Sequence, residues 1–487
     1  MYKAYVTYVT NIRPAANADR LNACEVFGNT TIIDKTITED TLVLYLPSDG
    51  QISVEFGEKN NLFRRKDDAG NNVGGFIDPV KRNITAIRLR GNHSDGLVLP
   101  ISCLNYCYAH GDASIELRVG DVIDGLVNGH EICCKYIPRS NARCGTVTEG
   151  NRTRKTKVAT APLFKEHADT EQLAYNLGAF KPGDEIEITL KMHGTSQRTG
   201  YLPVLQGYKD SPWCELRNAW RKMWHDLFKK KTSFEEEHDG DPIYDYGYVS
   251  GTRRVVLENY DGGFYGNNEF REQHSKVFEG KLWKGETVYY EVVGFTTSGQ
   301  PIMSTASNSK LQDKEFIKQY GKETVFSYGC SPTGKKRMYG NDEDGAFAID
   351  VDVPQSDVYV YRMTMTNEDG EVVEYTPDFM RYRCEQMAVK TVPVFAKAIL
   401  NEDSKISINN ETTEPGDLGA YVMKMAELFY DGADPIGKTH VREGVVVRII
   451  NRPKFAAYKH KNFSFKVLEG IAKVEAEAPD MEEAQDV

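Results

Sequence analysis

The feature that most narrows the fold is one alternating run, Glu185-Ile-Glu-Ile-Thr-Leu-Lys191. Side chains on a strand point to opposite faces in turn, so Ile186, Ile188 and Leu190 share one face and Glu185, Glu187 and Lys191 the other. Lys181-Pro-Gly-Asp184 turns the chain into this strand, and His193-Gly194 follows it. Three further runs of strand character lie downstream: Val288-Tyr-Tyr-Glu-Val-Val-Gly294, Val358-Tyr-Val-Tyr-Arg362 and Arg442-Glu-Gly-Val-Val-Val-Arg448. From Ala161 onward strands and helices mix, which predicts an α+β domain of antiparallel sheets flanked by helices.

With 487 residues the chain can hold two or three domains. Residues 1–135 read as short strands broken by turns, with candidates at Lys3–Val9, Thr31–Ile33, Leu42–Leu46, Ala86–Leu89 and Gly96–Pro100. Such a pattern predicts a small β-barrel or sandwich. Residues 136–160 then form a basic linker. Lys135, Arg139, Arg143, Arg152, Arg154, Lys155 and Lys157 crowd this stretch, either as a solvated connection or as a phosphate-contacting strap. Residues 161–471 make the second domain, with insertions near 205–245 and 299–355. Asp169-Thr-Glu-Gln-Leu-Ala-Tyr-Asn-Leu predicts a helix with a good N-cap. Trp213–His238 predicts another, whose Trp220, Met223, Trp224 and Phe228 read as a docked face rather than a base-stacking platform. Residues 472–487 are an acidic tail, read as a solvated extension.

A net charge of −11 does not exclude a nucleic-acid partner, because binding depends on local charge. No apolar run reaches membrane-spanning length, and the opening MYKAYVTYVTNIRPA lacks the basic-then-apolar order of a signal peptide. Nine cysteines without even spacing point to reduced thiols and a cytoplasmic setting. Cys103, Cys107 and His110, with Cys133-Cys134, have neither the usual zinc spacing nor polar surroundings, and read as a buried strand or turn.

Chemistry concentrates in an ordered set. Lys191-Met-His-Gly194 ends the opening strand, and Ser250-Gly-Thr-Arg-Arg254 follows the first insertion. Glu291 is a carboxylate inside an apolar strand, Tyr359 and Tyr361 alternate along another, and Glu443 precedes a glycine at the head of a β-branched run. Tyr458-Lys-His-Lys461 closes the set with two lysines on one face of an extended segment. Any one of these is common; the six in order are not.

This set resembles the covalent nucleotidyltransferases, the superfamily of polynucleotide ligases and mRNA capping enzymes, over nearly all of residues 161–470. It is most similar to the Deinococcus-type RNA ligase family, which places an OB-like β domain first. The stretches Ala18-Asp-Arg-Leu-Asn-Ala-Cys-Glu-Val26 and Arg88-Leu-Arg-Gly-Asn-His-Ser-Asp-Gly-Leu-Val-Leu-Pro100 resemble that module. The resemblance implies an ATP-dependent RNA ligase acting on nicked or broken RNA ends, as in RNA repair. A DNA ligase, a guanylyltransferase and a non-catalytic RNA end-binding protein are the alternatives. It implies Lys191 as the residue that carries AMP, with His193 and Gly194 in the same motif. Arg253 or Arg254 would reach the sugar or phosphate, Glu291 the ribose, and Tyr361, ahead of Tyr359, the adenine. Glu443 would hold Mg²⁺ or Mn²⁺, and Lys459 and Lys461 would neutralise phosphate charge. A nucleophilic amine must be neutral, and a free lysine titrates near ~10.4, so the chemistry needs cations and burial around it. The family has Asp where this chain has His193, which leaves open how the lysine is oriented and where the pH optimum lies.

Overall fold

The computed structural model describes residues 2–15, 21–48, 50–65, 74–89, 92–136, 159–167, 170–227, 236–253, 255–257, 260, 268–342, 345–408, 411–469 and 472–474. The basic stretch beyond Tyr136, Phe228, Lys229–Lys231, Arg254 and the tail after Val474 lie outside the described residues.

In the N-terminal unit, Val43–Leu46 is the pivotal strand. It pairs antiparallel with Ala4–Thr7 and Leu97–Pro100, and Ala4–Thr7 pairs in turn with Val122–Ile123. All four of its residues are apolar and buried. The alternation explains why: Leu44 and Leu46 enter a core with Ile52, Phe56 and Leu104, while Val43 and Tyr45 enter a second core with Val26 and Ile33. That second core lies under a three-stranded meander, Thr10–Pro14, Leu21–Val26 and Asn29–Asp34. Among the described residues these are open, separately hydrogen-bonded sheets. Cys103, Cys107 and Cys133 are buried in the first core as free thiols.

The larger unit stacks two sheets, antiparallel except for short parallel strands, Glu171–Gln172 in the first and Lys390–Thr391 in the second. One runs in the order Glu171–Gln172, Ala456–Lys461, Gly444–Ile449, Glu185–Leu190, Val394–Ile399. The other runs Pro242–Gly251, Thr195–Tyr208, Glu286–Gly294, Ser356–Thr366, Val372–Glu374. Ile186, Ile188, Val445, Val447 and Ile449 bury the outer face of the first sheet against helix Leu418–Tyr430. Val288, Tyr290, Val292, Val358 and Val360 do the same for the second, against Met380, Cys384 and Met387 of helix Pro377–Met387 and Phe270 of helix Glu269–Lys276. Period two then leaves Glu187, Lys191, Glu291, Tyr359, Tyr361, Lys459 and Lys461 for the space between the sheets.

Several expectations change. The segment after Asp169 is not a helix. Glu171–Gln172 is an edge strand pairing in parallel with Tyr458 and Lys459, and short 3₁₀ turns follow at Leu173–Tyr175 and Leu177–Ala179. Tertiary pairing beside the strand that carries Lys459 and Lys461 overrides a weak local propensity. The predicted helix of the first insertion forms over Pro212–Leu227 and buries Cys214 and Asn218, but the described residues leave its apolar stripe uncovered: Trp213, Leu216, Trp220, Met223 and Leu227 are all exposed. Helical spacing tells which residues share a stripe but not whether anything covers it. The second insertion reaches into the domain, because Phe326 and Tyr328 join the core beside Leu190 and Met192. The tail is not wholly an extension, since Ala472–Val474 pairs in parallel with Ala86–Leu89 of the N-terminal unit.

Candidate active site

Three adjacent strand ends bring the charged residues together. Gly444 pairs with Lys461, and Val445 with both Leu190 and His460, so Lys191, Glu443 and Lys461 leave their strands side by side. The Lys191 backbone N–H donates to the Gly444 carbonyl at 3.0 Å. Gly444 sits at φ +144°, and a Cβ there would stand 2.1 Å from the His460 carbonyl oxygen, so only glycine permits this junction. Gly194 is required for space: its Cβ would meet the Val292 carbonyl oxygen at 2.4 Å. That contact lets the chain pass from the first sheet into the second directly beside Glu291.

Glu443 is the hub. It is 1% exposed, and its Oε1 accepts from Lys191 Nζ at 2.5 Å and pairs with Lys461 Nζ at 3.1 Å. Burial alone would raise its pKa, but Lys191 and Lys461 outweigh burial and hold the carboxyl well below the usual range. Its Oε2 is buried without a hydrogen-bond partner and stands 3.6 Å from His193 Nδ1. Lys461 also donates to Glu469 at 2.7 Å; burial lowers its pKa, but the carboxylates of Glu443 and Glu469 outweigh burial and shift it upward.

His193 is buried. Its backbone N–H donates to the Tyr328 hydroxyl at 2.7 Å, and its ring meets Phe326 and Phe465 edge-on, with centroids 4.5 and 4.7 Å away. These contacts aim Nδ1 at Glu443 and at Glu469, 3.7 Å away. His193, Glu443 and Glu469 together present one donor atom each within 4.8 Å of one another. The orphaned Glu443 oxygen and this mixed set of carboxylates and imidazole fit a divalent cation.

Across the gap, Glu291 pairs in register with Ser196 and Tyr359. Burial raises its pKa to about 7; Lys191 pulls it down and Glu443 pushes it up. Tyr361 occupies a β-bulge, since Tyr289 pairs with Arg362 and Tyr290 with Val360. The bulge turns its hydroxyl to Ser196 Oγ, 2.9 Å away, and burial and Glu291 raise its pKa. Tyr359 is buried in the inter-sheet core, whereas Tyr361 is only partly buried. Arg253 acts electrostatically on both Glu291 and Tyr361. Lys459 lies on the same strand face as Lys461, opposite Val446.

Three residues on this site escape a sequence reading. Glu469 ends helix Phe463–Glu469 with no motif to mark it. Tyr328 comes from an insertion. Arg271 is buried on a helix and donates to the Ser196 carbonyl at 3.3 Å, bracing the strand beside Glu291.

No family model matches the sequence, and no curated protein matches it. Solved structures do. A Naegleria gruberi RNA ligase with pyrophosphate is similar over 95% of this chain and 97% of its own, with a TM-score of 0.51 and 14% identity. A variant of that ligase with AMP and manganese gives 0.50 at 14% identity, over 96% and 98%. Another variant, with ATP and manganese, gives 0.51 at 15%, over 96% and 98%. The likeness is one of fold: this chain has the α+β architecture of a nucleotidyltransferase-type RNA ligase.

Proposed function

We propose that the chain is an ATP-dependent RNA ligase of the Deinococcus type that carries AMP on Lys191. One observation supports this above the rest: Lys191 and Lys461 converge on a single buried oxygen of Glu443, across from the sheet that carries Glu291 and Tyr361. A buried ion pair kept only for stability would not need a second lysine, a partnerless oxygen and an aromatic opposite it. The fold of RNA ligases crystallised with ATP, AMP and manganese supports the same reading.

In the first step the neutral Lys191 amine attacks the α-phosphorus of ATP. A P–N bond forms, the bond to the bridging oxygen breaks, pyrophosphate leaves and the amine loses a proton. In the second, the 5′-phosphate of an RNA end attacks the same phosphorus and Lys191 leaves as the amine. In the third, a 3′-hydroxyl attacks the activated 5′-phosphate and AMP is released. Lys459 and Lys461 neutralise phosphate charge as it develops. Glu291 accepts from ribose hydroxyls, Arg253 reaches the sugar or phosphate, and Tyr361 lies against the adenine. Glu443 would hold Mg²⁺ or Mn²⁺, which supplies positive charge at the α-phosphate when bound. The N-terminal unit binds the nucleic-acid strand, a nicked or broken RNA or RNA-containing duplex.

Mass spectrometry of the protein incubated with ATP and Mg²⁺ should show a gain of one AMP. Lys191→Ala and Lys191→Arg should show none, because a guanidinium stays protonated. An adduct on either variant would remove Lys191 from the role. Sealing a nicked duplex with RNA on the 3′-hydroxyl side, but not its all-DNA counterpart, separates an RNA from a DNA ligase.

A further inference from the structure

Helix Phe463–Glu469 follows the strand that ends at Lys461 and carries Glu469 back onto that lysine, whose Nζ donates to it at 2.7 Å. Seven residues are too few for a helix to hold its own place, so its position depends on what grips it. Phe465, Val467 and Leu468 are buried in the core beside Leu190 and Met192. Lys466 instead reaches the N-terminal unit, where its Nζ donates to Asp95 Oδ2 at 2.5 Å. Asp95 is held on every other polar atom by its own unit. Its Oδ1 accepts from Ser48 Oγ, its carbonyl from Tyr45 Oη at 2.8 Å and Thr31 Oγ1 at 3.1 Å, and its N–H donates to the Thr30 carbonyl at 2.8 Å. Beyond the helix, Ala472–Val474 pairs in parallel with Ala86–Leu89 of the same unit. The N-terminal unit thus grips the chain on both sides of Glu469. The Lys466–Asp95 pair is largely withdrawn from water, 17% and 12% exposed, and such a pair loses in desolvation much of what it gains in attraction. What it supplies is geometry, because a charge-assisted bond fixes a length and a direction.

We propose that Asp95 is a positioning residue for adenylylation: through Lys466 it seats helix Phe463–Glu469 so that Glu469 holds Lys461 in place to act on the α-phosphate. This deepens the ligase reading and rests on it for the role of Lys461. Lys461 Nζ lies between two carboxylates, Glu469 Oε2 at 2.7 Å and Glu443 Oε1 at 3.1 Å. With Glu469 drawn away, the attraction to Glu443 alone remains, and that oxygen already binds Lys191. Lys461 would then crowd the nucleophile instead of facing the phosphate. Misplacing by about 1 Å a group that stabilises developing charge can cost on the order of a hundredfold in rate. The N-terminal unit therefore has two tasks, one on the RNA and one on the active-site lysine.

The test uses the full-length protein and measures AMP-adduct formation in a single turnover, with Mg²⁺, over a range of ATP concentrations. Asp95→Asn and Lys466→Met remove the charges and keep nearly the size of each side chain. Each should lower the maximal rate by about tenfold or more and leave the half-saturating ATP concentration within about threefold of wild type, because Lys461 acts on charge that develops as pyrophosphate leaves. The double variant should be no slower than the slower single variant, since the two residues act as one unit. Lys466→Arg, which restores the charge, should recover most of the rate. Circular dichroism and urea midpoints show which variants are folded under the assay conditions, and Lys466→Met bears on the proposal even where Asp95→Asn does not fold. A wild-type maximal rate in either folded single variant overturns the proposal. So do single losses that multiply in the double variant, or a Lys466→Arg variant as slow as Lys466→Met. The ligase reading fails separately, if the wild-type protein gains no AMP.

Discussion

Glu291 illustrates how one partly buried side chain can set a pH response. Its carboxyl is raised to about 7 by burial, and the pull of Lys191 offsets that only in part. If it accepts from ribose hydroxyls it must be ionised, so nucleoside affinity should rise between pH 6 and 8. Adenosine, whose phosphates cannot confound the titration, is the ligand to use, and isothermal titration calorimetry the measurement. Glu291→Gln should bind adenosine with little pH dependence; a wild-type profile equally flat would remove Glu291 from the ribose. The same shift affects stability with the opposite sign. A carboxyl whose folded pKa exceeds its unfolded value near ~4.3 stabilises most fully below that value, and the contribution is lost as pH rises through about 7. Glu291→Gln should therefore cost less stability at pH 8 than at pH 5.

At the scale of elements, the site depends on close passage of strands. A Cβ at Gly194 would meet backbone at 2.4 Å, and backbone cannot rotate away as a side chain can. Gly194→Ala should destabilise the protein by about 1–3 kcal/mol, read as a lower urea midpoint, and should also reduce AMP-adduct formation. The helix Pro212–Leu227 offers the contrast. Trp220 is 57% exposed, so Trp220→Gln should change stability by less than about 0.5 kcal/mol. A loss as large as that of Gly194→Ala would mean that this helix face is covered in solution.

The whole molecule is joined across its two units by groups that weaken in acid. Tyr175 of the larger unit packs against Tyr5, Phe27 and Tyr45, and Lys466 pairs with Asp95 at 2.5 Å. Burial pushes Asp95 up, but Lys466 outweighs it and the net pKa lies below the usual value. Its contribution is present above ~3.9 and lost as pH falls through the folded pKa. Nearby His460 is lowered to about 4, first by burial and then by Lys466, and His274 is lowered to about 4 by burial. Each stays neutral in the folded chain while its unfolded counterpart takes a proton below ~6.5, so stability is full above that pH and falls toward about 4. Urea midpoints should decline steadily from pH 7 to 4, and His460→Gln should flatten part of that decline. A midpoint unchanged over this range would contradict it. This joint also bears on the division of labour between the units. Removing residues 1–150 would uncover Tyr175 and strand Lys466, so interface point variants are the cleaner way to separate adenylylation from sealing.

Much of the site was legible in the sequence because a strand's period of two is a local property. It put Lys191 opposite Ile186 and Ile188, Glu291 opposite Val288, and Lys459 with Lys461, and the sheets kept those faces. Chain order likewise carried the resemblance to nucleotidyltransferases. What the sequence could not determine were the contacts between distant segments. Glu469 lies 278 positions after Lys191 (469 − 191) and joins the cluster only because helix Phe463–Glu469 folds back over it. Tyr361 is aimed by a bulge that depends on the neighbouring strand, and the edge strand at Glu171–Gln172 exists only beside Tyr458 and Lys459. Whether the Trp220 face is covered was equally undetermined, since an amphipathic stripe is the same string of letters with or without a partner. Local periodicity is written in the chain; burial, ion pairing and the meeting of donors depend on the packing of segments far apart in it.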